Sequence, residues 1–321
     1  MQNTTIKTKV SNHLKKMMKH NFLLWKCFDL YYSIHNQKVL NKFQSTDLMN
    51  HHSGSEPSLE NITSQVVTAS QCFEQLYKEW CFAMRSPARM HRKQWEFVYI
   101  LEALRKSECF SAGKRGLGFG CGQEPMPALL AKAGCEIVAT DLAFDQAKKE
   151  GWVDTQEHAA TLEALNPFEI CPHEDFKRRT TFRAADMNDI PSDLKEVDFL
   201  WSSCALEYLG SIEHGLAFII NAMNCLKPGG VAVHTTEFNL SSDTDTVDAP
   251  GLCLFRKQDM LRLERELQSL GYHVSPFNFS KGTMPIDHYV DLPPFCPSPH
   301  LKVQVQQYAA TSIGVIIRKS A

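Results

Sequence analysis

The 321-residue chain has no C-x-x-C pair; its 11 cysteines are scattered, and the closest two, Cys72 and Cys81, stand nine positions apart. That spacing excludes a zinc ribbon and a dense disulfide framework, and scattered thiols in a chain with room for an adequate core suggest a reducing compartment. No apolar run approaches the ~18 residues of a membrane span; the best candidate, Phe22 to Tyr32, is broken by Lys26 and Asp29. Five lysines precede that stretch and no small-residue cleavage site follows it, a poor fit to a signal peptide, so a cytoplasmic location is expected. An excess of one charge is also lacking: 34 Lys and Arg stand against 36 Asp and Glu, which argues against bulk nucleic acid as a partner. Metal-ligand patterns are missing too. His173-Glu174-Asp175-Phe176-Lys177 has no second histidine for H-E-x-x-H and Asp287-His288 stands alone, so no metal is expected.

Charge is present locally. Residues 1–44 hold eight lysines against the single acid Asp29, mixed with Leu14, Met17, Met18, Phe22, Trp25 and Phe28 in a weakly helical pattern. Two readings stand: peripheral contact with an anionic membrane surface, or a solvated extension. A polar stretch with Gly54 and Pro57 then reads as a linker. Helices are expected over Ser64 to Met84 and Lys93 to Leu104, the second with Trp95, Val98, Leu101 and Leu104 at helical spacing.

After Gly113 short apolar runs alternate with helical patterns. The expected strands are Leu117–Phe119, Glu136–Thr140, Thr181–Ala184, Val197–Ser202, Val231–Thr236, His273–Phe277 and Ser312–Arg318. Helices are expected over Pro125–Ala133, His158–Leu165, Ile212–Cys225 and Lys257–Leu270. Such alternation means crossovers and a mainly parallel sheet covered on both faces, whose ligands sit at the carboxyl ends of strands near the switch in winding direction.

The central feature is Gly116-Leu117-Gly118-Phe119-Gly120-Cys121-Gly122, followed by Gln123-Glu124-Pro125. Glycine at every second position leaves no Cβ between a ligand and the main chain, and Pro125 suits a first helical turn. The dinucleotide fingerprint G-x-G-x-x-G is broken in every register, because Cys121, Gln123 and Pro125 stand three places past the three glycines. An NAD-dependent oxidoreductase is thereby disfavoured. No Gly-Lys-Ser/Thr follows, which excludes a Walker loop, and Phe119 stands where a nucleophile elbow on Cys121 needs glycine.

The segment resembles motif I, [DE]-x-G-x-G-x-G, of the class I (seven-stranded, Rossmann-like) S-adenosylmethionine-dependent methyltransferases, with Gly118, Gly120 and Gly122 on its glycines. Later positions extend the resemblance. Asp141 closes the next strand 19 positions after Gly122, and Ala185-Asp186-Met187-Asn188-Asp189-Ile190-Pro191 resembles the loop after the third strand. Val197 to Ser203 resembles the fourth strand and runs into Cys204-Ala205-Leu206-Glu207-Tyr208-Leu209, similar to the "LEH" segment; Leu226-Lys227-Pro228-Gly229-Gly230 is the turn before the fifth. The resemblance spans residues 113–318.

It implies an α/β fold of three layers: a doubly wound seven-stranded sheet, mostly parallel with an antiparallel last strand, plus an N-terminal helical extension. It implies S-adenosylmethionine as cofactor, held at Gly118, Phe119, Gly120, Gly122 and Ser203. Asp141 would accept two hydrogen bonds from the ribose diol, and Asp186 would take the adenine amino group with Met187 on the ring. There is one departure: Gly116 stands where the motif has its acid, so the methionine ammonium must be held differently. Arg92, Lys93 and Glu96 are the nearby candidates, against the alternative of a solvated helix face.

Methyl transfer needs nucleophile, methyl and sulfur held in line in a dry pocket, and a hydroxyl acceptor gains from a general base. Such a base belongs at the carboxyl end of the fourth or fifth strand. Glu237 ranks first, His234 second and Glu207 third, as catalytic or substrate-orienting residues; His234 lies further in, on the other face. The Pro-rich, aromatic stretch from Ser275 to Gln307 is long for a connection and is expected to cover the acceptor. Expected boundaries are 1–50 for the basic extension, 51–112 for a linker and helical cap, and 113–321 for the methyltransferase domain, with residues 275–307 as its lid. The expected activity is methylation of a small-molecule or glycan-type acceptor, with a catalytically silent S-adenosylmethionine-binding module as the alternative.

Overall fold

A computed structural model describes residues 27, 30–32, 34–38, 41, 55–149, 158, 159 and 161–321. Most of the basic extension, and the start of the linker, lie outside the described residues. Residues 30–32 and 34–38 are helical, and this helix docks through His35 Nε2 on the Ser298 carbonyl (2.9 Å) and Asn36 on the Ala88 carbonyl (3.3 Å).

The helix expected over Ser64 to Met84 does not form as one element. The segment opens as strand β1 (Ser64–Val66), passes a 3-10 turn at Ser70–Phe73 and only then becomes α1 (Gln75–Ala83). The reason is local and tertiary: Val66, Val67 and Thr68 are β-branched, and β1 finds partners on both sides in a sheet built mostly from the other end of the chain. Helix α2 (Arg92–Lys106) follows, capped by His91, whose side chain accepts from the Lys93 amide. Its buried stripe of Trp95, Val98, Leu101 and Leu104 faces the sheet as the spacing predicts.

The alternating half follows: β2 (Arg115–Phe119), α3 (Met126–Lys132), β3 (Glu136–Asp141), α4 (Phe144–Lys149), α5 (His173–Arg179), β4 (Thr180–Ala184), β5 (Val197–Ser203), α6 (Ile212–Ala222) and β6 (Leu226–Asn239). The short hairpin β7 (Asp248–Ala249) and β8 (Leu252–Cys253) leads to α7 (Lys257–Ser269), β9 (His273–Val274), β10 (Phe277–Asn278), β11 (Val303–Val305) and β12 (Tyr308–Arg318). One of the expected helices, His158–Leu165, differs among its described residues. Only Leu162–Leu165 is helical there, as a 3-10 turn, and α4 and α5 arise where no helix is expected. All are short, at four to seven residues.

Sheet order is β10-β1-β12-β6-β5-β2-β3-β4. The pairs β2–β3, β3–β4, β2–β5 and β5–β6 are parallel, and β12 runs antiparallel to β6, as expected of a last strand. The sixth position is shared: β9 pairs with Ile317 and Arg318 at one end of β12, while β1 pairs with Ile313 and Gly314 further along. Thus the expected single strand His273–Phe277 is split, because β1 wedges between its continuation β10 and β12.

One face of the sheet packs under α1, α2, α3 and α5, the other under α6 and α7. The approach of α2 is close enough that a Cβ on Gly314 of β12 would meet the Tyr99 ring at 2.1 Å. Winding reverses between β2 and β5, so the loops after these two strands open side by side at the place where such sheets bind ligands.

Candidate functional site

The loop after β2 has the bare main chain the sequence predicts, and the structure explains each glycine separately. Gly120 and Gly122 have φ of 57° and 51°, a left-handed backbone that favours glycine. Gly116 and Gly118 answer to packing: Cβ atoms there would lie 2.3 Å from the Phe199 ring and 2.4 Å from Trp201. The two aromatics stand directly across on β5, in register with these glycines, and stack with ring centroids 6.1 Å apart. The motif's missing acid is therefore a matter of volume. Phe199 fills the space that a side chain at 116 would need.

A different acid lies just beyond the loop. Glu124 is buried and accepts from Trp201 Nε1 at 3.3 Å, and burial raises it well above the ordinary carboxylate range. In the sequence it reads only as the residue before Pro125; the signal that marks it is the indole on the facing strand, visible only once register is known.

Asp141, at the tip of β3, accepts the Leu142 amide on Oδ1 (2.8 Å) and the Gly122 and Ala159 amides on Oδ2 (3.1 and 3.2 Å). It fastens the glycine loop and keeps one Oδ1 lone pair, fewer than the two hydrogen bonds expected for a ribose diol. Met187 reaches the loop: its sulfur lies 3.4 Å from where a Gly120 Cβ would stand, beside Ala205. Asp186 is partly exposed and turns its own loop by accepting the Asn188 amide at 2.8 Å. Gly118, Gly120, Gly122, Asp141 and Met187 are thus brought together. Phe119 is the correction: its side chain points to the opposite face, edge-on to Phe218 of α6 at 5.1 Å, so only its backbone belongs to the loop.

Beside the loop, at the tips of β5 and β6, lies a buried charged cluster. Glu207 and Glu237 meet Glu96 of α2, and Arg92 and Lys93 of the same helix lie among them. Arg92 pairs with Glu237 through a short contact and lies 3.9 Å from Glu96. The Lys93 ammonium is 3.7 Å from Glu96, 3.7 Å from Glu237 and 3.9 Å from Glu207. Glu96 also takes Ser312 and, at 3.5 Å, Ser203; Glu207 takes the Thr236 hydroxyl at 2.9 Å. Arg92, Lys93 and Glu96 therefore face the site and not bulk solvent, although the Lys93 side chain keeps 36% exposure.

Burial raises Glu207 to about 7, with Lys93 opposing and Glu237 reinforcing the shift. His234 is not part of this group. It lies across the sheet against Phe218, holds Ser202 Oγ at 2.8 Å, and burial lowers it to about 3.

Cys204, with a φ of 44°, brings its sulfur near Glu207 and Glu237, and one atom of each lies within 4.8 Å of the others. The same carboxylates are already faced by Lys93 and Arg92, which supply the positive charge that a cation would bring.

The Pro-rich segment closes on α2. Met90 and Arg92 exchange backbone hydrogen bonds with His300 (2.8 and 3.0 Å), and its imidazole holds Asp291 at 2.7 Å. Asp287 is structural: it accepts the Ala69 amide at 2.9 Å and the Met284 amide at 3.2 Å.

Residues 91–276, more than half of the chain, match the family described as the methyltransferase domain. No curated protein gives a match. Among solved structures, a Galdieria sulphuraria protein described as a sarcosine dimethylglycine methyltransferase aligns at 20% identity over 46% of this chain and 46% of its own, with a TM-score of 0.32. The chain thus spans less than half the length of that relative. An S-adenosylmethionine-dependent methyltransferase of Clostridium acetobutylicum aligns at 13% identity over 72% of this chain and 92% of its own, TM-score 0.39. Magnesium protoporphyrin IX methyltransferase of Synechocystis, with bound S-adenosylmethionine, aligns at 11% over 71% and 79%, TM-score 0.38. By the match over residues 91–276, the chain belongs to the methyltransferase domain family.

Proposed function

We propose that the chain transfers the methyl group of S-adenosylmethionine to a hydroxyl oxygen of a small-molecule or glycan-type acceptor. The observation that carries this reading is the state of the charged cluster. Glu207 Oε1 and Glu237 Oε2 are buried without a hydrogen-bond partner among the described residues. A buried polar atom left unpaired costs ~1–3 kcal/mol, more when charged, and an ionised carboxylate only accepts. A hydroxyl-bearing ligand entering where the Lys93 side chain keeps 36% exposure would offer these covered atoms the donors they lack.

The donor, when bound, supplies a methyl carbon on a positively charged sulfur. The residues fit it: bare backbone from Gly118 to Gly122, Met187 beside Gly120, and one open Asp141 lone pair. We assign Asp186 and Ser203 to the same subsite. Glu207 and Glu237 are assigned to orient the acceptor, Arg92 and Lys93 to offset their charge, and His234 to the packing behind them. Alignment and exclusion of water then account for most of the rate.

The test is transfer of labelled methyl from S-adenosylmethionine to a small-molecule cell extract, followed by fractionation. The reading expects label on a base-stable ether oxygen and loss of transfer in Glu207→Gln and Glu237→Gln. Label on nitrogen or sulfur contradicts the hydroxyl acceptor; uptake of the donor with no transfer to any fraction favours the silent module.

A further inference from the structure

Asp291 and His300 form a second buried arrangement that the charged cluster does not include. Asp291 is 1% exposed and its carboxylate has three donors: His300 Nδ1 (2.7 Å) and the Cys296 amide (2.8 Å) on Oδ2, and the Tyr289 hydroxyl (3.2 Å) on Oδ1. Its backbone is tied as well, its amide to the Lys302 carbonyl at 2.8 Å and its carbonyl to the Gln304 amide at 2.9 Å. A carboxylate this fixed accepts and does not donate, so Nδ1 of His300 must carry the proton and Nε2 the lone pair. Nε2 makes no hydrogen bond to a described residue and is not among the fully covered polar atoms.

The place of this ring follows from its neighbours. Thr311 of β12 donates to the Leu301 carbonyl at 2.6 Å, and Thr311 stands opposite Phe238, next to Glu237. The His300 carbonyl accepts the Arg92 amide at 3.0 Å, so residue 300 sits at the start of α2, next to the residue that pairs with Glu237. His91 at 4.7 Å and Phe295 at 5.3 Å wall the imidazole. Burial outweighs the pull of Asp291 and lowers His300 below the ordinary imidazole range, which leaves the ring neutral near pH 7.

We infer that His300 is the proton acceptor for the methylated hydroxyl, with Asp291 as the positioning residue that fixes its tautomer. This rests on the reading of the chain as an O-methyltransferase. As the acceptor oxygen bonds the methyl carbon, the carbon–sulfur bond breaks with its electron pair going to sulfur, and the hydroxyl proton passes to Nε2. The resulting imidazolium is balanced by Asp291 and returns the proton to solvent. Glu237, ranked first as base in the sequence, is committed to Arg92 and Lys93 and is left to orient the acceptor.

The test uses the full chain, labelled S-adenosylmethionine with a small-molecule cell extract as acceptor source, and calorimetry with S-adenosylhomocysteine. His300→Gln and His300→Ala are expected to lose at least ~100-fold in transfer while binding S-adenosylhomocysteine as the wild type does, and added imidazole is expected to restore part of the rate in His300→Ala. Asp291→Asn is expected to lower transfer and to move the ring proton to Nε2 by nitrogen NMR. His300→Gln that binds the nucleoside and transfers at the wild-type rate overturns the inference and leaves the methyltransferase reading standing. Failure of the wild type to bind S-adenosylhomocysteine, or to label any fraction, overturns that reading and the role of His300 with it.

Discussion

At the scale of single residues, volume and charge make opposite demands on neighbouring positions. Gly116 is bare because Phe199 occupies its space, so restoring the motif's acid is predicted to harm the protein. Gly116→Asp forces a side chain into a filled core, which costs ~1–3 kcal/mol by overpacking alone, before any penalty for an unpaired carboxylate; an unchanged melting temperature would refute this packing account. In the charged cluster the demand is for pairing. Arg92→Ala leaves Glu237 buried with Lys93 as its remaining cation, and breaking a buried pair from one side costs ~3–5 kcal/mol, read as a lower denaturant midpoint. A midpoint within error of the wild type contradicts burial of the pair.

Glu207 gives a pH test. Burial raises its folded value from 4.5 to about 7, so the folded state binds the proton more tightly than the unfolded chain. Its contribution is fully present below pH 4.5 and is lost as pH rises to about 7. Glu207→Gln, which cannot ionise, is predicted to flatten that part of the stability-versus-pH curve. Identical slopes in the two proteins, measured by urea unfolding across this window, exclude the shift.

Among elements, legibility in the sequence depends on whether a pattern is local. The strands Leu117–Phe119, Glu136–Thr140 and Val197–Ser202 were readable because each is an apolar run bounded by turn residues, and the structure extends each by no more than two residues. β1 was not readable, because Ser64-Gln65-Val66 becomes a strand only by pairing with Ile313 and Gly314, almost 250 positions away. The same holds at the site. The glycine loop, Asp141 and Met187 sit on local motifs, whereas the meeting of Arg92 with Glu237 and of Asp291 with His300 depends on packing between distant segments. The wedge of β1 has its own consequence. A chain starting after Val66 uncovers one edge of β12, and unpaired edges invite association; such a truncation is expected to aggregate on heating where the full chain does not, as followed by light scattering. Equal scattering of the two contradicts a structural role for β1.

For the whole molecule, the fold brings together a bare loop after β2 and a buried charged cluster after β5 and β6, with the Pro-rich segment clasped to α2 beside them. The described helical residues of the extension expose Leu30, Tyr31 and Ile34 within one helical arc, the surface that the peripheral-contact reading of the basic extension would use. Co-sedimentation with vesicles containing phosphatidylserine, reversed by salt, is the expected outcome; sedimentation indifferent to lipid charge speaks against it. The central claim is that the main chain from Gly118 to Gly122, fastened by Asp141, binds the methyl donor. Titration calorimetry of the folded chain with S-adenosylhomocysteine tests it most directly: the account predicts saturable uptake of one nucleoside per chain, weakened in Asp141→Ala and absent with NAD, whereas a flat titration with folded wild-type protein contradicts it.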